Sequence, residues 1–266
     1  MIKTKYQHTV VNRFAQLDQD LPQWINWTGI AVLVLAWELI CRMGWVTPLF
    51  LPSPSAILIT IVQMLSGGEI LGNIYASLYR IGLGFTVGSV IGIIAGLLLG
   101  FSKLAEAVGN PILYSIYPIP KIALLPLIIL WLGIGELSKV SIIALGVFFP
   151  VVINTYSGVK HVDPNLIKVA VSFNATRFNI IRKVILPGAL PVIFAGLKLA
   201  AGTSLLLLVA AEMIAAKEGI GAMILHYGDL MLTTKLMVGV LTLSLLGVIF
   251  TQLLNIIEKR IITWKK

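Results

Sequence analysis

The sequence predicts an all-α integral membrane protein with about six transmembrane helices. Hydrophobic residues make up 58% of the 266 residues, charged residues only 12%, and the mean hydropathy is +0.97. Water-soluble domains contain about 45–50% apolar and about 25% charged residues. Several uninterrupted apolar stretches reach the ~20 residues needed to cross a hydrocarbon layer about 30 Å thick. A globular protein with an unusually apolar core would not need such stretches.

The expected spans differ in their glycine and proline content. From Gly84 to Gly100, the second span carries glycine at every fourth position, which leaves one helix face without side chains and predicts close helix packing. The third contains prolines from Pro111 to Pro126 and is expected to be kinked or broken, either as a pathway-lining helix or as ordinary packing. The fourth contains Pro150. The six expected spans are 24–43, 77–101, 108–132, 138–158, 188–211 and 235–257, with a short surface helix at 55–65.

The distribution of positive charge predicts the orientation of the chain. The net charge is +9, but the basic residues lie at the ends of apolar runs and form no single patch, which argues against nucleic-acid binding. Most of the Lys and Arg residues fall in the inner segments if both termini are cytoplasmic, as the positive-inside rule requires. We therefore expect a cytoplasmic lead at 1–23, a transmembrane domain at 24–258 with an inner loop at 160–187, and a cytoplasmic tail at 259–266.

The inner loop is too long and too regular for a simple connection. Asp163 is placed to cap a helix that begins at Pro164, and Asn174 is placed to end it in a left-handed conformation. A second short helix would follow from Ala175 or the next residue, and Pro187 marks the return to the membrane. The pattern predicts a helix–turn–helix that seats in a groove of a soluble partner. An amphipathic loop lying on lipid headgroups is the alternative.

Six motifs, in order along the chain, resemble the permease subunits of ATP-binding-cassette importers, specifically the nitrate/sulfonate/taurine/bicarbonate branch. The resemblance extends from about Phe50 to the C-terminus and implies the type I importer permease fold in a bacterial inner membrane. The motifs are LPSPSAI (51–57), SLYRIGLGF (77–85), PIPKIALLPLIILWLGIGELSK (118–139), FFPVVINTYSGVKHVDP (148–164), LPGALPVIFAGLK (186–198) and AAEMIAAKEGIG (210–221).

The resemblance implies that the inner loop couples the permease to its ATPase. Three positions depart from the usual family loop: Lys168 replaces an acidic residue, Val169 replaces alanine, and Asn174 replaces glycine. Asparagine keeps the turn, whereas Lys168 reverses a charge at the expected partner surface. The residues assigned to the coupling loop are Asp163, Pro164, Lys168, Val169, Ala170, Asn174, Ala175, Leu186 and Pro187.

The resemblance also implies the partners and the substrate class. Expected partners are a second permease copy, two ATP-binding cassette subunits that hold ATP and Mg, a periplasmic or lipid-anchored substrate-binding protein, and membrane lipid. The chain has no G-x-x-x-x-G-K-[ST] phosphate loop, catalytic constellation or metal-ligand spacing, so we expect it to be neither an enzyme nor a cofactor carrier itself. The expected substrate is a small anion or organic sulfonate. Alternatives are a pyrimidine-type vitamin precursor, a stand-alone secondary transporter, and an intramembrane enzyme.

Charged residues inside spans are costly and frequently functional. Glu38 and Arg42 are spaced i, i+4 and are expected to form an ion pair within the first span. Lys121, in the proline-rich span, and Glu212, at the end of the fifth, are candidates for facing the pathway or the subunit interface. Arg80 is interpreted as an anchor near the outer mouth of the pathway that could also attract an anion.

Overall fold

The computed structural model describes residues 24–264, which form helices and connecting turns with no β-strand in that range. The expected cytoplasmic lead at 1–23 and the last two residues of the tail lie outside the described residues. In chain order the α-helices are α1 (Trp24–Arg42), α2 (Pro54–Ser66), α3 (Glu69–Phe101), α4 (Lys103–Ile116), α5 (Leu125–Leu132), α6 (Glu136–Lys160), α7 (Pro164–Ser172), α8 (Arg177–Ile180), α9 (Leu186–Ala215), α10 (Ile220–Asp229) and α11 (Thr233–Ile261).

By length and apolar composition, the helices account for up to five of the six expected spans. In the described part of the chain, four helical stretches are long and apolar enough to cross a membrane, namely α3, α6, the stretch from α8 through α9, and α11. The bent pair α4–α5 supplies a fifth. The sixth expected span corresponds to α1, an apolar helix of 19 residues. The protein is therefore an all-α, multi-pass membrane protein, as the sequence predicts.

The glycine series forms the contact face between α3 and α6, which confirms the prediction of close packing. A Cβ placed on Gly84 would lie 2.6 Å from Cγ2 of Ile143, and one placed on Gly100 would lie 2.6 Å from Cγ1 of Val159. Both distances are too short for real atoms, so only glycine lets the two backbones approach this closely. By contrast, a Cβ on Gly82, which is outside the series, would meet nothing within 4 Å.

The third expected span is broken, as its prolines predict. Helix α4 ends at Ile116, and a 3₁₀ turn over Lys121–Leu124 leads into α5. The two halves are bent by 87°. Pro118 and Pro120 lie in the break, where they cannot donate backbone hydrogen bonds to a continuous helix. Pro111 lies inside α4 without ending it.

The contact between α1 and α2 contains an ion pair that the sequence predicts and hydrogen bonds that it does not. The ion pair between Glu38 and Arg42 is present at 2.7 Å, and Glu38 also accepts hydrogen bonds from the backbone and hydroxyl of Ser55, which tie α1 to α2.

Helix α10 was not predicted. Its buried residues Ile220 and Tyr227 are seven positions apart on one face, a helical spacing that the sequence already contained.

Candidate coupling loop, cavity and buried charge network

We call residues 164–185 the knob, and its first helix is built as its capping residues predict. Asp163 is the N-cap of α7, and its carboxylate accepts a hydrogen bond of 2.8 Å from the backbone N–H of Asn165. Asn174 has a positive φ of 54°. The N–H of Asn174 donates to the carbonyl of Val171, and the N–H of Ala175 donates to the carbonyl of Ala170. These two bonds form a Schellman motif, which closes the helix.

The second half of the knob differs from the prediction because it does not end before the membrane span. Thr176 caps α8, and the chain continues through a π-helical turn over Ile181–Ile185 into α9 without a break. The result is one helical stretch of 39 residues from Arg177 to Ala215. The expected short second helix is therefore wrong: a wide π turn precedes Pro187, whose missing N–H a regular α-helix would need there, and the helix continues past this residue.

The surface of the knob presents large apolar side chains to solvent. Leu166, Val169 and Phe173 are 53%, 54% and 81% exposed, and their spacing places them on one side of α7. We call these three residues the knob stripe. Ala170 is half-buried, so it lies beside the stripe and not at its centre. Lys168 is exposed and makes no ion pair with any residue between 24 and 264.

A cavity of about 680 Å³ opens at the break in the third span. Its walls come from the bend between α4 and α5, from Phe149 and Pro150 of α6, and from Thr203 and neighbouring leucines of α9. Most of this lining is apolar. Among the described residues that line the cavity, Lys121 is the one charged residue. The structure therefore brings Lys121, a predicted pathway residue, to the wall of this cavity.

The ammonium group of Lys121 has aromatic and carbonyl neighbours in place of a carboxylate. Its Nζ lies 4.7 Å from the ring centroid of Tyr117 and 4.6 Å from that of Phe149, within the range of cation–π attraction. It also donates to the backbone carbonyl of Tyr117. Within residues 24–264, no carboxylate forms an ion pair with it.

Glu212 lies in the interior of the protomer, with an exposure of 0%, and does not line this cavity. Arg80 donates to its carboxylate at 2.7 Å, and Ser77 donates at 2.8 Å. The backbone N–H of Gly221 donates at 2.8 Å from the loop after α9. Every carboxylate oxygen therefore has a partner within the chain, and the expectation that Glu212 faces the pathway or the subunit interface is corrected.

Arg80 is also buried, whereas the sequence suggested an anchor near the outer mouth that could attract an anion. Its guanidinium binds both carboxylate oxygens of Glu136 at 2.7 and 2.9 Å, in addition to Glu212. Lys139 pairs with Glu136 at 2.7 Å. We call Ser77, Arg80, Glu136, Lys139 and Glu212 the buried charge network; it joins α3, α6 and α9.

Gly219 packs directly against the buried charge network, at a position where any side chain would collide with it. Its φ of 128° is strained for any residue with a Cβ, and a Cβ there would press on the Glu212 carboxylate and on Nη1 of Arg80. The carbonyl of Glu218 accepts from Arg80 at 2.5 Å. The loop after α9 is therefore part of the network as well.

Comparison with known proteins identifies the family of this chain. The family model described as "binding-protein-dependent transport system inner membrane component" matches residues 88–263. The chain belongs to this family. The matched range contains the second part of α3 and all helices from α4 to α11, so it includes the knob, the cavity and Glu212.

Individual members of this permease family align with nearly the whole chain. A Bacillus subtilis protein named as an aliphatic sulfonates transport permease, SsuC, is 37% identical, and the alignment covers 88% of this chain and 85% of that protein. The taurine transport system permease protein TauC of Escherichia coli is 35% identical, with 88% of this chain and 87% of that protein covered.

Solved structures support the type I importer permease fold. An inward-facing structure of the MetNI methionine ABC transporter matches with a TM-score of 0.56 at 24% identity, covering 73% of this chain and 94% of that chain. A crystal structure of an amino acid ABC transporter with histidines matches with a TM-score of 0.57 at 19% identity, covering 75% and 98%. At these identities the likeness concerns the fold alone.

The sequence reasoning missed the buried charge network of the permease, although its members lie inside the motifs that carried the resemblance. Arg80 is in SLYRIGLGF, Glu136 and Lys139 are in GELSK, and Glu212 and Gly219 are in AAEMIAAKEGIG. The sequence did contain a signal for it. In the expected topology Arg80, Glu136 and Glu212 all lie at the outer ends of their spans, and opposite charges at the same depth in the membrane are expected to pair.

Proposed function

We propose that the chain is the membrane-spanning permease subunit of an ATP-driven importer for small organic anions of the sulfonate class. It would act as a pair of copies in a bacterial inner membrane, with both termini cytoplasmic. Two separate ATP-binding cassette subunits would supply ATP and Mg, and a periplasmic or lipid-anchored binding protein would deliver the substrate. The names of the SsuC and TauC relatives support the sulfonate class.

The observation that carries the proposal is the knob stripe. Three large apolar side chains, Leu166, Val169 and Phe173, are exposed along one side of a capped helix. Exposed apolar side chains grouped on one face mark a contact surface for a partner. The Schellman closure at Asn174 fixes the direction of this face relative to the second half of the knob.

In this mechanism the knob transmits the ATPase cycle to the membrane helices. ATP-driven closure of the two cassette subunits would move both knobs, and the helical stretch from Arg177 to Ala215 would carry that movement into the transmembrane core. The broken α4–α5 pair lies against the same core, through the cavity that it shares with α6 and α9. Alternating access to that region would follow from the movement of α9 relative to α6.

The coupling role is tested with Phe173→Asp in the full transporter, co-expressed with its ATPase subunits. We expect loss of ATPase co-purification and of ATP-dependent uptake, because a carboxylate placed within an apolar contact must be desolvated. Val171→Asp is the matched control: Val171 is also exposed but lies on the other side of α7. Retention of the ATPase by Phe173→Asp at the level of the control would contradict the coupling role.

The substrate class is tested separately, with purified wild-type transporter in proteoliposomes that contain the binding protein. We expect ATP-dependent uptake of butanesulfonate and taurine. Uptake of a pyrimidine-type vitamin precursor in their place would replace the substrate class and leave the coupling role intact. Uptake without any ATPase subunit would instead favour a secondary transporter.

A further inference from the structure

We infer that the cavity at the break of the third span is a transit site for the substrate, and that Lys121 binds the sulfonate group there. This inference rests on the proposed function and deepens it. The cavity volume of about 680 Å³ is within the ~300–1,000 Å³ typical of small-molecule sites. Its lining combines many apolar side chains with one cation, the composition that suits a short aliphatic chain bearing one negative charge.

The pairing of the other cations in the helical core distinguishes Lys121. Arg80, Lys139 and Lys198 each form an ion pair with a glutamate of a neighbouring turn or helix. Lys121 has no such partner among the residues described. An ammonium group in a membrane-spanning segment without a counter-ion is costly, and such groups commonly mark substrate pathways.

The hydrogen-bonding capacity of Lys121 fits a sulfonate. An ammonium has three donors, and one of them is used by the carbonyl of Tyr117. Two donors remain for an anion with three equivalent acceptor oxygens. The hydroxyl of Thr203 donates to the carbonyl of Ala200, so its proton is already engaged. Lys121 is therefore the charged donor available to an anion in the cavity.

The elements that form the cavity around Lys121 could change its width when they move relative to one another. Lys121 begins the 3₁₀ turn between two helices bent by 87°, next to Pro120. The other walls belong to α6 and α9, and α9 is continuous with the knob. Movement of α9 would therefore change the width of the cavity around the bound anion.

The first test compares Lys121→Met with Lys121→Arg in the complete transporter in proteoliposomes, with butanesulfonate as the substrate. Lys121→Met is expected to lower uptake about tenfold or more, the loss that follows removal of one hydrogen bond to a charged group. Lys121→Arg keeps the charge and is expected to retain most of the uptake. Lys103→Met is the control, because Lys103 is exposed on the same bent helix pair and does not line the cavity.

The second test separates charge from shape. Cys41 is the one cysteine of the chain, so in a Cys41→Ala background the Lys121→Cys variant carries a single thiol, and this variant is treated with aminoethyl methanethiosulfonate. The thiolate attacks the reagent's sulfenyl sulfur, a disulfide forms and methanesulfinate leaves, so the side chain again ends in an ammonium. We expect this reagent to restore uptake, the sulfonatoethyl reagent to leave it low, and butanesulfonate to slow both labelling reactions.

The outcomes distinguish the two proposals. Absence of sulfonate uptake by the wild type would overturn the proposed substrate class, and this inference with it. Wild-type uptake that is matched by Lys121→Met, or equal uptake after the two reagents, would overturn the inference alone. Rescue by the cationic reagent together with protection by butanesulfonate supports it.

Discussion

Replacing Glu212 with glutamine removes one negative charge from the buried charge network with little change in side-chain size. In the wild type the Glu212 carboxylate accepts from Ser77, Arg80 and the backbone of Gly221 at distances of 2.7 to 2.9 Å. A glutamine oxygen can keep part of this set. Its amide N–H groups, however, would face donors, and Arg80 would lose one of its two carboxylate partners.

The size of the effect follows from the burial. Removing one partner of a buried ion pair costs roughly 3–5 kcal/mol, because the remaining charge is left uncompensated. Arg80 retains its two-point contact with Glu136, which is about half exposed, so we expect a loss near the lower end, about 3 kcal/mol. For a protein of this size that corresponds to a fall in Tm of about 6–12 °C.

The assay is thermal unfolding of purified protein in detergent, with Glu69→Gln as the control. Glu69 pairs with Lys235 at 3.4 Å, and both side chains are well exposed. Such pairs contribute about 0–1 kcal/mol. The double variant with Arg80→Gln should lose less than the sum of the two single variants, because the groups are in contact. Equal Tm values for Glu212→Gln and Glu69→Gln would refute the reasoning.

Three further outcomes are expected. Gly88→Ala should lower thermal stability, since its Cβ would lie 2.8 Å from Cβ of Val147, whereas Gly82→Ala should be neutral or stabilising; the reverse order would show that the face lies elsewhere. Asn174→Gly should keep or slightly raise stability and Asn174→Val should lower it by about 1–2 kcal/mol, because φ is positive; equal melting of the two variants would argue against the left-handed turn. Lys168→Glu should leave stability within about 1 kcal/mol of wild type but weaken uptake driven by the native ATPase, measured in membrane vesicles; wild-type uptake would show that Lys168 faces water.

The parts of the fold set by local patterns could be predicted from the sequence. The glycine period predicted the α3–α6 contact because every fourth helical position shares a face and glycine removes the side chain. The caps at Asp163 and Asn174 predicted the first helix of the knob because each residue type satisfies backbone groups at one end of a helix. The prolines predicted the break in the third span because they cannot donate the required hydrogen bonds.

The parts set by pairing between distant segments could not be predicted in this way. Arg80 and Glu212 are 132 positions apart, and no helical period indicates that they meet. The start of α3 at Glu69 was missed because its first turns contain polar residues, including Asn73, which ended the apolar run without ending the helix. The π turn before Pro187 was also missed, because proline after a polar loop is ordinarily read as a boundary.

In the proposed coupling mechanism, the continuous helix from Arg177 to Ala215 would act as a lever. At 1.5 Å per residue, the distance along the helix from Arg177 to Glu212 is about 52 Å. A tilt of about 5° at the knob would displace the far end by about 4–5 Å if the helix moved as a straight rod of that length. The π turn at Ile181–Ile185 is the place where such a rod could yield. A small stroke on one side of the membrane would therefore reach the residues that hold α3, α6 and α9 together on the other.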